Sequence, residues 1–138
     1  MILRDDDYIT ILMDYEKSLF VTRWKSESAN IEKEEDVKEI IHDISIKLSE
    51  NKPKYYIANQ KYKEIAYSVD LQKWVAEELY RGCIEGAVEY AVTVESENIA
   101  VSISNDQMID EADTTTGLKL ATFHDEEEAM KWMKVSLE

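Results

Sequence analysis

Hydrophobic and polar positions change period several times along this chain, and each change marks an element. From Tyr8 to Met13 the residues alternate, with Ile9, Ile11 and Met13 on one side and Tyr8, Thr10 and Leu12 on the other, and Leu19 to Lys25 is a second β-rich run. The polar link Asp14-Tyr15-Glu16-Lys17-Ser18 has hairpin length, so these strands should pair antiparallel. The period then becomes helical: Val37, Ile40, Ile41, Ile44 and Leu48 form one stripe, with Glu34, Glu35, Lys38, Glu39 and Lys47 on the outer face. Ser28 or Asn30 can supply the N-cap, and Glu32, Glu34, Glu35 and Asp36 suit the positive end of the helix dipole. Pro53 closes the connection and leads into the apolar strand Tyr55-Tyr56-Ile57-Ala58.

After the polar stretch Asn59 to Glu64, Ser68 is placed as the N-cap of a helix whose inward face carries Leu71, Trp74, Val75 and Leu79. Gly82 on that face permits close backbone approach, and Gly86 is the expected stop. Val88, Tyr90, Val92 and Val94 alternate as a strand. Residues 98–103 fit either a strand or a helical turn, and Ser104-Asn105-Asp106-Gln107 is a capping box for a short helix carrying Met108, Ile109 and Ala112, ended at Thr114 to Gly117. Leu118 to Phe123 is the last strand. Asp125 and Glu128 then repeat the capping pattern before a helix with Ala129, Trp132, Met133 and Leu137 on its apolar side. The order β-β-α-β-α-β-α-β-α predicts an α/β domain: an antiparallel pair followed by crossovers, giving a mixed sheet covered by helices. One domain spans residues 1–138, with 1–7 as a loosely ordered start.

Charge narrows the function more than it alters the fold. Sixteen basic against thirty acidic side chains give a net charge of −14, so the average surface repels nucleic acid and anionic lipid headgroups. The single cysteine, Cys83, cannot form an internal disulfide, which fits a reducing, cytoplasmic setting. No window reaches the roughly eighteen apolar residues of a membrane span, so no membrane insertion is expected. The three glycines, at 82, 86 and 117, cannot build a phosphate loop or a dinucleotide fingerprint, and no metal-ligand spacing occurs, so neither cofactor nor metal is implied. A catalytic triad would have to draw on His42 and His124; His42 lies off the apolar stripe of its helix, His124 precedes the last helix, and Cys83 reads as a packing residue.

Several stretches resemble the SpoIIAA-like proteins of the STAS group, in particular small stand-alone bacterial members of the Bacteroidetes type. They are Arg23-Trp24-Lys25, the strand-turn-helix from Tyr55 to Trp74, Gly86 before Ala91-Val92, and the closing run Phe123-His124-Asp125-Glu126-Glu127-Glu128-Ala129-Met130-Lys131-Trp132-Met133. The resemblance implies a SpoIIAA-like fold and a non-enzymatic regulatory or protein-interaction module, with a protein partner or a homodimer. It also places Ser68 near the phosphorylated serine of that group, although Ile65-Ala66-Tyr67-Ser68-Val69-Asp70-Leu71 lacks the flanking aspartate, the second serine and the glycine, and an unmodified N-cap is the plainer reading. The alternative is a small-molecule or lipid-binding module whose pocket lies between the Asn59 to Tyr67 connection and the helix bearing Trp74. Asn59, Tyr62, Tyr67, Ser68 and Trp74 are the candidate binding residues, with Tyr62, Tyr67 and Ser68 meeting solvent in that connection.

Overall fold

The structure, a computed structural model, describes residues 1–96 and 118–135. Its strands are β1 (Ile2–Asp5), β2 (Ile9–Asp14), β3 (Leu19–Trp24), β4 (Tyr55–Asn59), β5 (Tyr90–Val94) and β6 (Lys119–Phe123). Three α-helices accompany them among the described residues: α1 (Glu34–Asn51), α2 (Val69–Glu85) and α3 (Glu126–Met133). The six strands lie side by side in chain order. The pairs β1–β2 and β2–β3 are antiparallel, while β3–β4, β4–β5 and β5–β6 are parallel. The mixed α/β sheet expected from the alternating patterns is present. The short helix expected at 104–112, the ambiguous stretch 98–103 and Leu137 lie outside the described residues.

Alternation along the strands sends apolar side chains to both faces. Ile9, Ile11, Met13, Phe20, Tyr56 and Ala58 meet the stripes of α1 and α2, whereas Leu19, Val21, Ile57, Val92 and Val94 pack with Ala129 and Met133 of α3 on the other side. A sheet covered on both faces explains why β3 and β4 read as nearly continuous apolar runs. The α1 stripe Val37, Ile40, Ile41, Ile44 and Leu48 is buried throughout.

Helices α1 and α2 touch backbone to backbone because of two glycines. A Cβ at Gly82 would meet the backbone and hydroxyl of Ser45, and one at Gly86 would meet the carbonyl of Leu48. The helix stops at Gly86 as expected, but the φ of Gly86 is −83°, and the positive φ belongs to the next residue, Ala87. Glycine is required at 86 for closeness rather than for handedness.

Two expectations are corrected. The start of the chain is a strand rather than a loosely ordered lead: Ile2, Arg4 and Asp5 pair with Leu12, Ile11 and Thr10, and the Arg4 guanidinium bonds Asp6, Glu39 and Asp43. Neither Ser28 nor Asn30 caps α1. Both belong to a short 3₁₀ turn at Ser26–Asn30, the N-cap position falls at Lys33 without a side-chain bond, and Ser28 Oγ instead accepts from the Glu64 amide at 3.0 Å. Ser68 and Asp125 do cap α2 and α3, accepting from Leu71 N at 3.2 Å and Glu128 N at 2.8 Å. Among the described residues no helix is long and apolar enough to cross a membrane.

Candidate functional site

The parallel strands β3 to β6 all end at one edge of the sheet, and pairing aligns Arg23, Asn59, Val94 and Phe123 in a single row there. Carboxyl ends of parallel strands are where α/β sheets most often hold ligands, because the chain leaves the sheet in loops at that edge. The first turn of α3 comes down onto the same row. Glu126 accepts from Arg23 Nε and Nη2, both at 2.8 Å, and from Asn59 Nδ2 at 2.6 Å. The Lys61 amide donates to Asn59 Oδ1 at 3.0 Å, which fixes the orientation of that carboxamide.

Three donors on one carboxylate have a predictable electrostatic result. Burial pushes the Glu126 carboxyl up, but the bonds from Arg23 and Asn59 together with the Arg23 charge outweigh it and hold the group below its ordinary value. The bond to Glu126 raises Arg23 in turn. The ion pair is bidentate, the geometry in which Arg–carboxylate recognition is strongest and most directional.

The connection after β4 is pinned rather than loose. Gln60 N donates to Val94 O at 2.9 Å, Lys63 N to Gln60 O at 3.0 Å, and Ser96 Oγ to Lys63 O at 3.0 Å. With the Glu64 amide tied to Ser28, this holds Tyr62 out in solvent at 53% exposure, with Lys61 Nζ 5.6 Å from its ring centroid. Tyr62, Arg23 and Trp24 are shared by two adjoining clefts. One, of about 340 Å³, runs to Asn59, Asp125 and Glu126; the other, of about 420 Å³, runs to Thr10, Lys25 and Ser26.

Beneath Tyr62 the connection turns inward. Lys63 is 1% exposed, its Nζ 3.7 Å from the Tyr67 ring centroid and 5.1 Å from that of Trp24. Burial pushes its amine well below the ordinary lysine value. Tyr67, expected at the surface, is therefore buried, and burial raises its hydroxyl. A polar connection whose lysine stem runs through the core draws the neighbouring ring in with it.

The sequence candidates separate into three places. Asn59 and Tyr62 belong to the carboxyl-edge cleft, and Tyr67 to the packing below it. Ser68 sits on the exposed start of α2, where its hydroxyl donates to Glu34 Oε1 at 3.0 Å while capping Leu71. A phosphate there would gain the helix N-terminus but lose that bond and face the Glu34 carboxylate. Trp74 is half-buried between α1 and α2, with Lys38 Nζ 5.3 Å from its ring centroid. The nucleophile and base candidates are each engaged elsewhere: His42 Nδ1 lies 3.0 Å from Glu78, His124 Nδ1 lies 3.4 Å from Glu95, and burial pushes the Cys83 thiol up to about 12. Among the described residues, His, Cys, Asp and Glu side chains form no group able to hold a metal ion.

Arg23 and Glu126 were not among the residues singled out for binding. Arg23 stood only in a run that carried a resemblance, and Glu126 only in a helix start; the signal that could have joined them is that both flank the ends of strands expected to be parallel. No protein-family model, curated protein or solved structure matches the chain.

Proposed function

We propose that this protein is a non-enzymatic cytoplasmic domain of the SpoIIAA-like kind that works by binding a protein, either a partner or a second copy of itself, through the carboxyl edge of its sheet. The observation that carries the reading is the exposed Tyr62 held on a pinned connection beside Arg23 and Trp24, at the junction of two clefts. Tyrosine and arginine are among the side chains that most often dominate binding energy at protein interfaces, and an anchor fixed before binding, here on a connection backed by the buried Trp24, loses little conformational entropy on contact. The antiparallel pairing of β2 with β3, followed by parallel strands in chain order, is what supports the SpoIIAA-like reading, while β1 adds a further antiparallel strand that this reading did not include. The test is a photo-crosslinking residue at position 62 in the native host, combined with sedimentation of the purified chain. A single dominant protein adduct that disappears with Arg23→Ala, or a dimer weakened by Tyr62→Ala, is the expected result. A strict monomer that yields no adduct overturns the reading.

A second reading, a small ligand in the same place, is favoured by the cleft of about 340 Å³ at Asn59 and Tyr62. Tyr67, Ser68 and Trp74 do not line that cleft, so this reading rests on Asn59, Tyr62, Arg23 and Lys61. Native mass spectrometry distinguishes the two, since it reports a bound small molecule and an oligomer as different mass increments.

A further inference from the structure

On the opposite face from α3, helix α2 does not fill the space over β4 and β5. Ala58 and Ala91 floor the gap, Ala76, Leu79 and Cys83 of α2 stand over it, and a cavity of about 90 Å³ lies between them. Ala91 and Leu79 are only half-buried, so the cavity opens to solvent on one side. Small residues alone would make this a packing defect. Gln60 makes it more than that.

Gln60 follows Asn59 at the end of β4, and strand alternation turns its side chain away from Glu126 and toward the cavity that it lines. It is 7% exposed, and its Oε1 is fully buried without a hydrogen bond from any described residue. Its backbone cannot swing the carboxamide out to water, because the N–H is committed to Val94 O and the C=O to Lys63 N. Buried side-chain oxygens nearly always have a donor, and an acceptor left without one in a hollow whose lining is mainly apolar, with Tyr56, Tyr80 and Thr93 also on its wall, is chemically suited to a ligand that supplies it.

We propose that this cavity is a binding site for a small, mainly apolar molecule carrying one O–H or N–H donor, of about the size of phenol, with the donor bonded to Gln60 Oε1. An enclosed apolar cavity of about 150 Å³ admits benzene; this one is smaller but open, so a ring enters with one edge left toward solvent. The site shares no lining residue with the carboxyl-edge cleft, so it stands or falls independently of the protein-binding reading.

The experiment is a methyl and amide NMR titration of the full chain with phenol and with toluene, which has nearly the same shape but no donor. Saturable shifts should centre on the Ala58 and Ala91 methyls and the Gln60 side-chain amide, with phenol binding about fivefold more tightly than toluene, the size of one net hydrogen bond. Gln60→Leu should abolish that preference while toluene still binds, and Ala91→Leu, which fills the cavity, should remove both ligands from a protein whose spectrum stays dispersed. The proposal is overturned by the absence of saturable shifts with either ligand, by shifts centred elsewhere, or by a Gln60→Leu variant that still prefers phenol. The wild-type pair and Gln60→Leu decide the matter even if Ala91→Leu does not fold.

Discussion

Replacing Gly82 by alanine sets two opposed effects against each other, and their sizes differ enough to decide the sign. On propensity alone the change should stabilise, since alanine is better than glycine inside a helix by about 1 kcal/mol. The added methyl, however, would lie 2.5 Å from Ser45 Oγ, 2.7 Å from Ser45 Cα and 2.9 Å from the Ser45 carbonyl oxygen. Two of those atoms are backbone, so a rotamer change cannot relieve the contact and α1 must move away from α2. Overpacking of this kind costs about 1–3 kcal/mol, and backbone contact puts it in the upper half of that range. The net expectation for Gly82→Ala is a loss of about 1–2 kcal/mol, read as a lower urea midpoint at unchanged slope and a melting temperature lower by about 4–8 °C. Adding Ser45→Ala removes the hydroxyl contact and the Ser45 bond to Glu78 O at 2.9 Å, but leaves the backbone contacts in place, so the double variant should recover little. A Gly82→Ala protein as stable as the parent, or more so, would falsify the claim that the two helices meet backbone to backbone at this point.

Four more outcomes follow from the same structure. Asp6, Asp43 and Glu126 each sit below their ordinary carboxyl values in the fold, so their stabilisation is complete above the unfolded value near pH 4 and disappears as pH falls through the lowered folded values; the urea midpoint should be flat from pH 7 to 5 and fall steeply below about 4. Arg4→Met should cost about 1 kcal/mol by releasing the links to Asp6, Glu39 and Asp43, and should speed amide exchange in β1 while α1 stays protected; equal protection of β1 in both proteins contradicts the clasp. Glu126→Gln should speed exchange across α3 without altering that of α1 and α2, because only α3 loses its tie to the ends of β3 and β4. Cys83, 3% exposed and with its thiol pushed up to about 12, should react at pH 8 with a disulfide reagent too bulky for the cavity of about 90 Å³ that it lines only through unfolding, so its labelling rate should follow urea as global unfolding does; rapid labelling of the native protein by such a reagent would contradict its burial.

Legibility in the sequence followed the length of the pattern and the reach of the contacts. The α1 stripe was legible because five positions repeat at helical spacing over several turns and nothing in the surroundings competes with them. The Ser68 and Asp125 caps were legible for the same local reason, since a cap needs only its own first turn. Strand β1 was not: four residues that include Arg4 and Asp5 carry too little alternation, and what holds them is an arginine reaching 35 and 39 residues along the chain to Glu39 and Asp43. The α1 cap failed because Ser28 is spent on the Glu64 amide, a contact that spacing along the chain does not encode.

Of the candidate binding residues, Asn59 and Tyr62 stand at the carboxyl edge of the sheet while Tyr67, Ser68 and Trp74 lie elsewhere, and the reason is physical. The polar and aromatic residues between Asn59 and Ser68 read as one solvated connection, on the assumption that a polar stretch lies in water throughout. Lys63 reverses that assumption: one buried lysine stem between Trp24 and Tyr67 folds half of the connection inward and leaves Tyr62 as the exposed ring. What then sits beside Tyr62 is decided by sheet order rather than by neighbours in sequence. Because β3 and β4 are adjacent and parallel, Arg23 and Asn59 stand side by side, and because α3 begins at the same edge, Glu126 closes on both from 103 residues away. A surface assembled from three strand and helix ends in this way is set by the core beneath it. Substitutions that unseat α3 should therefore weaken the protein binding proposed at Tyr62 without touching the ring itself, read as a weaker crosslinked adduct at position 62.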